Sequence, residues 1–357
     1  MTNKFWQGRR VFLTGHTGFK GAWLALWLRE LGAEVVGYAL DPPSDPSLFE
    51  TARIAEGMIS IHGDVRDLEA LAAAVAEHAP EVVFHLAAQS LVREGYADPI
   101  TTYSTNVLGT AHLLEACRRV ECVRSVVSVT TDKCYDDPEA PVAFGEDDPL
   151  GGKDPYSSSK ACAEHVTRAY RESFFETTAR PVCIASARAG NVIGGGDWAR
   201  DRLVPDLIRG FIANRPAAIR RPSAIRPWQH VLEPLSGYLE LAEAGWTDPD
   251  TVAGGWNFGP DSSDEQPVER VADLLVELWG GSAAWERDDA DHPAEAGFLK
   301  LDSTKARERL GWRPRLTLEQ ALDWVASWHR SVLEGKDPGR TTRAQIAGYG
   351  ALGSGSQ

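Results

Sequence analysis

Residues 9–21 read RRVFLTGHTGFKG, and this stretch decides the fold. An apolar run enters a turn carrying Gly15, Gly18 and Gly21 at three-residue spacing, and a helix-like segment follows at once. Glycine lets the chain turn tightly and lets backbone approach a pyrophosphate, whose charge is stabilised by free N–H groups at a helix N-terminus. A glycine triplet alone is a weak signal. One that follows a strand, opens a helix and starts a βα series points to a dinucleotide site.

The series is present. Strand-like apolar runs occur at 11–14, 34–40, 58–61, 81–86, 124–130 and 181–187, and helix-like segments at 19–31, 67–78, 104–119 and 155–175 lie between them. Near-continuous apolar strands alternating with helices predict a parallel sheet covered on both faces. The first helix sets Trp23, Trp27 and Leu31 four residues apart, a stripe expected to pack in the core. After residue 187 glycine, arginine and proline concentrate in GNVIGGGDW (190–198) and over 215–227. Helices are predicted at 233–244, 268–279 and 318–333, with a short strand at 256–258. The end, ALGSGSQ, is small and polar and is expected to be disordered.

Composition narrows the function. The chain has 357 residues, ample for a large buried core, and carries a net charge of −14. That charge argues against nonspecific binding to nucleic acid or anionic membrane, so an anionic ligand needs a local cluster of donors. Cys117, Cys122, Cys134, Cys162 and Cys183 show neither CxxC pairing nor metal-ligand spacing, which predicts reduced thiols and no metal. The N-terminus runs straight into a strand, and no apolar run approaches the ~20 residues of a membrane span. A cytoplasmic protein is the expectation.

Tyr156 and Lys160, in DPYSSSKA, stand four residues apart and share one helical face. A neighbouring ammonium favours phenolate, so the pair predicts a tyrosine drawn from ~10 toward neutrality and able to take a hydroxyl proton. Thr131, at the end of the preceding strand, is placed to bind the same hydroxyl. Asp132 follows it, either as an acid or as a strand-end residue closing a turn.

The GxxGxxG spacing resembles that of extended short-chain dehydrogenases/reductases. The resemblance then runs across nearly the whole chain. HLAAQSLVR (85–93), YSTNVLGT (103–110), TTDKCYDD (130–137), GGKDPYSSSKACAE (151–164), RAGNVIGGGDWARDRLVPD (188–206) and IRPWQHVLEPLSGY (225–238) are similar to the nucleotide-sugar 4,6-dehydratases, and to their CDP-glucose branch. The fold implied is an α/β Rossmann-type doubly wound parallel sheet with a smaller C-terminal substrate-binding α/β domain. Its expected parts are 1–187 for NAD with a returning segment near 228–256, then 188–227 and 257–335 for the nucleotide sugar, and a tail over 336–357.

The resemblance also implies site residues. Gly15, Gly18, Phe19 and Gly21 would hold the cofactor at the first turn, and Tyr156 and Lys160 its nicotinamide end. An acid near the end of the second strand would meet the adenine ribose; Asp41 is the nearby candidate, about two positions later than usual. No Arg or Lys follows that strand closely, which favours NAD over NADP. Asp64 and Val65 would contact adenine, and Ala87 and Ala88 would pass beneath the cofactor. Asn191 and Arg226 would hold the substrate diphosphate, with Asn257 nearby. Arg202, Arg220 and Arg221 read equally as phosphate contacts or solvated charges. His292, in an HP turn, reads as structural before it reads as a ligand of the nucleotide. Trp198 and Trp228 are candidates for stacking on cytosine.

The implied reaction converts CDP-glucose to its 4-keto-6-deoxy form. It proceeds by C4 oxidation, loss of the C5 proton and C6 hydroxyl, and hydride return to C6, with no net change in NAD. Asp132 would protonate the departing hydroxyl. Related dehydratases carry Glu after Thr-Asp, and this chain has Lys133, either the C5 base or a cation facing the enolate, with Asp132 or water then acting as base. A nucleotide-sugar 4-epimerase with the same Tyr–Lys pair is the first alternative; a non-catalytic dinucleotide sensor is the second. Family members pair through cofactor-domain helices, so a homodimer, or a dimer of dimers, is expected through 104–119 and 155–175.

Overall fold

Each central strand divides its side chains between two cores. Val11, Leu13, Val82, Phe84, Val127, Cys183 and Ala185 join one hydrophobic cluster. The residues between them, Phe12, Val83, Val126 and Ile184, join another. Alternation with both faces apolar is what a sheet buried between two helical layers requires.

The computed structural model describes residues 3–137, 142–176, 181–288, 290 and 298–353. Its strands are β1 (Arg10–Thr14), β2 (Glu34–Ala39), β3 (Ile59–His62), β4 (Val82–His85), β5 (Ser125–Val129), β6 (Cys183–Ala189), β7 (Asn191–Ile193), β8 (Ala217–Ile219), β9 (Ile225–His230), β10 (Gly254–Phe258), β11 (Glu265–Pro267) and β12 (Trp285–Arg287). The main sheet has the order β3-β2-β1-β4-β5-β6-β10, and every pairing in it is parallel. This is the doubly wound Rossmann order, extended by one strand. The six strands predicted in the first half lie within two residues of those observed.

One face of the sheet carries helices Phe19–Glu30 and Leu232–Thr247, with Trp23, Trp27 and Leu31 in the core as expected. The other carries Leu68–His78 and Gly109–Arg118. Two predicted helices are composite: Ser104–Leu108 is π-helical before Gly109–Arg118, and Pro155–Tyr170 widens into a π segment at Arg171–Phe175. A separate cluster gathers Ile193, Leu207, Phe211 and Trp228 with Val271, Leu275, Leu322 and Val325. Strands β11, β9 and β7 form a small sheet beside it, and β8 pairs with β12. Among the described residues no helix is long and apolar enough to cross a membrane. None of the five cysteines is in a disulfide.

Two boundaries differ from expectation. Strand β10 extends to Phe258 and adds Asn257 to the main sheet, paired with Arg188 on β6, because Trp256 and Phe258 are both core residues. The expected tail is mostly the helix Pro338–Leu352, started by Asp337, whose side chain accepts from the Arg340 N–H. Ile346 and Tyr349 recur at helical spacing and are buried, so this segment, expected only as a tail, covers core. Residues 354–357 lie outside the described residues.

The helix is held by a buried carboxylate. Glu233 accepts the Tyr349 hydroxyl at 2.5 Å and the N–H groups of Leu316 and Arg315 at 2.8 and 3.0 Å. Burial outweighs these donors and pushes its carboxyl up to about 7 from 4.5. A raised folded-state value means the contribution is fully present below about 4.5 and is lost as pH rises through about 7, a loss of ~3 kcal/mol. Glu233→Gln is therefore expected to raise Tm by several degrees at pH 8 and to give no gain at pH 4.5. Thermal melts at the two pH values check this, and an equal shift at both would show that ionisation is not the cause.

Candidate active site

The site is built on the carboxyl ends of the central strands, where the strand order reverses between β1 and β4. Gly15 follows β1 with φ +75°, and a Cβ there would come within 2.7 Å of the Ala87 nitrogen. A Cβ on Gly21 would meet the Gly15 carbonyl oxygen at 2.1 Å. Both glycines are demanded by the chain itself. Gly18 is different: its Cβ would meet only that oxygen, at 3.4 Å, so the protein alone leaves space there. Gly18 also caps helix Phe19–Glu30 without any side-chain bond, which leaves the first N–H groups of the helix free to face an anion. Gly18 and the adjoining Phe19 thus fit a pyrophosphate.

The neighbouring positions line the same edge. Asp41 stands two residues past β2, its side chain 90% exposed, with its carboxylate 3.6 Å from His62 Nε2. Thr17 donates to the Leu40 carbonyl at 2.9 Å and ties the glycine turn to that strand end. Asp64 is paired with Arg66 at 2.6 Å, and the guanidinium holds its carboxyl below the ordinary range. Val65 is buried against Gly109, and a cleft of about 590 Å³ opens beside Asp64 and Arg66. Ala87 and Ala88 are half-buried past β4, and the Ala87 N–H donates to Thr14 Oγ1 at 3.2 Å.

Helix Pro155–Tyr170 carries the Tyr–Lys pair. Asp154 caps it by accepting from the N–H groups of Tyr156 and Ser157, and Pro155 occupies the first turn, where its missing N–H costs nothing. Tyr156 stands beside Thr131. Burial pushes the phenol up to about 12, against the expected shift toward neutrality; the Thr131 hydroxyl and the Arg202 charge oppose it only in part. Lys160 donates to the Val129 carbonyl at 3.1 Å and is itself held down to about 8 by burial. In the protein alone burial keeps Tyr156 a neutral phenol and brings the Lys160 ammonium closer to titration.

Thr131, Asp132 and Lys133 form the turn after β5. The Thr131 hydroxyl donates to Asp132 Oδ1 at 3.0 Å. Asp132 is 2% exposed and its Oδ2 has no partner, while burial pushes its carboxyl up. Lys133 is half-buried and acts on Asp132 as a nearby charge.

Of the predicted substrate residues, three remain at this edge. Arg226, buried on β9, acts electrostatically on Asp132, and Arg202 acts on Tyr156 while bonding Ser90 at 3.2 Å and Asp197 at 3.4 Å. Asn191 is half-buried at the start of β7. Arg220 is tied to Asp201, and Arg221 is exposed. Asn257 is fully buried and spent: its Oδ1 accepts from the Tyr135 hydroxyl at 2.7 Å, and its Nδ2 donates to the Phe144 and Asp302 carbonyls. It is turned into the protein because β10 belongs to the main sheet. Trp228 is buried with its indole N–H on the Gln266 carbonyl, and Trp198 packs edge-on against His329, so neither is a free stacking surface. His292 lies outside the described residues.

Sequence reasoning passed over Lys20. It sits in the first turn of helix Phe19–Glu30, within electrostatic reach of Asp132, Asp197, Lys160 and Arg202, and is pushed down to about 7, chiefly by burial. The signal was legible as a basic residue inside the glycine motif, where the helix otherwise begins with apolar and small residues. Glu164 and Arg188 were also missed; nothing in their spacing announces that they meet.

The sequence model of a family described as GDP-mannose 4,6 dehydratase matches residues 12–324. A CDP-glucose 4,6-dehydratase of Salmonella typhimurium is 53% identical over 348 residues, 97% of each chain. The dTDP-glucose 4,6-dehydratase DesIV of Streptomyces venezuelae, solved as a double mutant with NAD, superposes with a TM-score of 0.78 at 22% identity, covering 92% of this chain and 99% of that one. A UDP-glucuronic acid 4-epimerase of Bacillus cereus gives 0.77 at 22% identity over 90% and 99%. The two solved structures show the fold; they do not separate elimination from epimerisation.

Because Asn257 is engaged inside the protein, Asn257→Ala is expected to cost about 2–4 kcal/mol of stability by stranding its buried partners. Denaturant titration measures that loss. A substrate KM that rose with unchanged stability would return Asn257 to the binding site.

Proposed function

As a member of the GDP-mannose 4,6-dehydratase family of short-chain dehydrogenase/reductase proteins, the chain starts from C4 chemistry on a nucleotide sugar, and we propose that it converts CDP-glucose to CDP-4-dehydro-6-deoxyglucose and water with NAD. The elimination rests on one observation, the buried Asp132 with an unpartnered oxygen beside Thr131 and Tyr156. A 4-epimerase has no use for an acid there. The nucleotide is inferred from the full-length likeness to the Salmonella enzyme.

The Gly18 turn and the uncapped helix N-terminus would hold the cofactor pyrophosphate, with Asp41 on the adenine ribose and Lys160 on the nicotinamide ribose. Bound NAD supplies a hydride acceptor for C4, a hydride donor for C6, and a positive charge that favours phenolate over phenol. Tyr156 takes the 4-hydroxyl proton, and Thr131 orients that hydroxyl. Oxidation at C4 acidifies the C5 proton, which Lys133 takes and later returns. Asp132, whose carboxyl burial pushes up, gives its proton to the departing C6 hydroxyl. Arg226, Arg202 and Asn191 bind the diphosphate, a local basic cluster in an acidic protein. The second hydrophobic cluster, between β7 and residue 326, is the nucleotide-sugar unit.

We also infer a homodimer. Leu108 and Phe174 are 53% and 43% exposed on the segments expected to pair, and Tyr96 and Ile100 add 45% and 77% nearby. Large apolar groups left in water on one helical region are a reason to associate.

Incubation of the purified protein with each of the four nucleotide-glucoses, read by mass spectrometry, is expected to show loss of water with the CDP sugar; loss with another nucleotide alone would overturn the substrate. Lys133→Met is expected to abolish deuterium exchange at C5 while C4 oxidation, seen as NADH absorbance, continues, and normal exchange would remove Lys133 as the base. Asp132→Asn should block elimination, whereas unchanged turnover of the sugar would favour the epimerase. For the assembly, Leu108→Glu is expected to move the sedimentation coefficient from dimer to monomer with circular dichroism unchanged. A wild-type monomer would contradict the dimer.

A further inference from the structure

The groups assigned to the reaction stand on two separate elements. Thr131, Asp132 and Lys133 lie on the turn after β5, and Tyr156 and Lys160 on helix Pro155–Tyr170. A shift of about 1 Å between such elements is enough to cost a large part of the rate. A buried ionic network spans them.

Glu164 lies one turn beyond Lys160 on that helix and is 4% exposed. Its carboxylate accepts from Thr130 Oγ1 at 2.5 Å and Ser186 Oγ at 2.6 Å, and pairs with Arg188 Nη2 at 2.7 Å. Arg188, buried on β6, donates through Nη1 to the Tyr135 hydroxyl at 2.7 Å and to the Glu146 carbonyl at 3.1 Å. Tyr135 donates onward to Asn257 on β10. Thr130 and Tyr135 are the residues on either side of Thr131–Cys134. The network therefore grips the turn at both ends and fastens it to the helix, to β6 and to β10.

Burying a carboxylate and a guanidinium is costly, and well-packed apolar residues would hold the space at least as well. What apolar residues cannot do is fix distances to several elements through directional bonds. The same carboxylate faces Lys160. The other titratable groups within reach of Lys160 are the Cys134 thiol on the turn, Lys20 on the first helix and His85 at the end of β4, whose imidazole burial keeps neutral. Glu164 is the group among these that brings negative charge.

We propose that Glu164, backed by Arg188, is a positioning residue for the dehydration: it locks the Thr131–Asp132–Lys133 turn in register with the Tyr156–Lys160 helix and supplies the counter-charge to the Lys160 ammonium. The inference rests on the reaction proposed above. Glu164→Gln preserves shape and an acceptor while removing the charge. Its kcat is expected to fall about tenfold, with KM for CDP-glucose within about twofold and the alkaline limb of the kcat profile displaced to lower pH by about one unit. Lys160 without its counter-charge gives up its proton earlier, which sets that direction. Glu164→Asp keeps the charge and should return the limb to its wild-type position with kcat still reduced. An unmoved limb in Glu164→Gln, or a wild-type kcat, overturns the proposal.

If circular dichroism shows that Glu164→Gln does not fold, Thr130→Val and Tyr135→Phe carry the test, since the first removes one bond from one end of the turn and the second removes two from the other. Both are expected to slow C5 deuterium exchange by about tenfold while C4 oxidation persists. Wild-type exchange in both overturns the proposal. Wild-type protein that fails to dehydrate CDP-glucose overturns instead the reaction on which it rests.

Discussion

The close approach of Gly15 to the end of β4 is the constraint on which the site depends. With 2.7 Å between a would-be Cβ and the Ala87 nitrogen, no side chain can stand at Gly15, and its positive φ reinforces the point. The contact presses the first βα turn into the reversal of the strand order. Thr14 Oγ1 sits in the same joint, bonded to His85 Nδ1 at 2.7 Å and to the Ala87 N–H. The free N–H groups of helix Phe19–Glu30 and the strand ends bearing Ala87 and Thr131 consequently open onto one crevice. The remaining parts of the site are added around it.

Charge at that crevice opposes the charge of the molecule. The chain carries −14, yet Lys20, Lys133, Arg202 and Arg226 converge on Asp132 and Tyr156. Burial pushes each acid toward its protonated form and each amine toward its free base: Asp132 up, Tyr156 up to about 12, Lys160 down to about 8 and Lys20 down to about 7. A bound cation or anion can redistribute protons among groups shifted in this way. The sequence-level expectation for Tyr156 considered the ammonium four residues away and left out the desolvation of both groups.

Particular residues show why legibility was uneven. Five of the six strands of the first half could be placed because an apolar run buried on both faces needs no partner to be recognised; the sixth, β3, lies mostly exposed at the sheet edge. Helix Pro155–Tyr170 was readable from its Asp-Pro start and the Tyr–Lys spacing. The C-terminal helix was not: Ala, Gly and Thr dominate it, and only the wedge of Ile346 and Tyr349 onto core, with Glu233 on the far side, makes it a packed element. Asn257 was misjudged for the same reason. Its neighbours marked a strand, but whether that strand joined the main sheet or the smaller region depended on a pairing with β6, a segment about 70 residues earlier in the chain.

The sequence by itself determined the glycine turn, the parallel βα order, the tyrosine and lysine on one helical face, and the Thr-Asp-Lys order after β5, because each depends on residues within a few positions of one another. The tertiary structure alone decided that Asp132 is buried with one oxygen unpartnered, that Lys20 enters the same site from the first helix, and that Glu164 meets Arg188, Thr130 and Ser186. Those facts depend on burial and on contacts between distant segments. Desolvation and directional bonds between elements come into being only when the sheet assembles, and no local pattern encodes them.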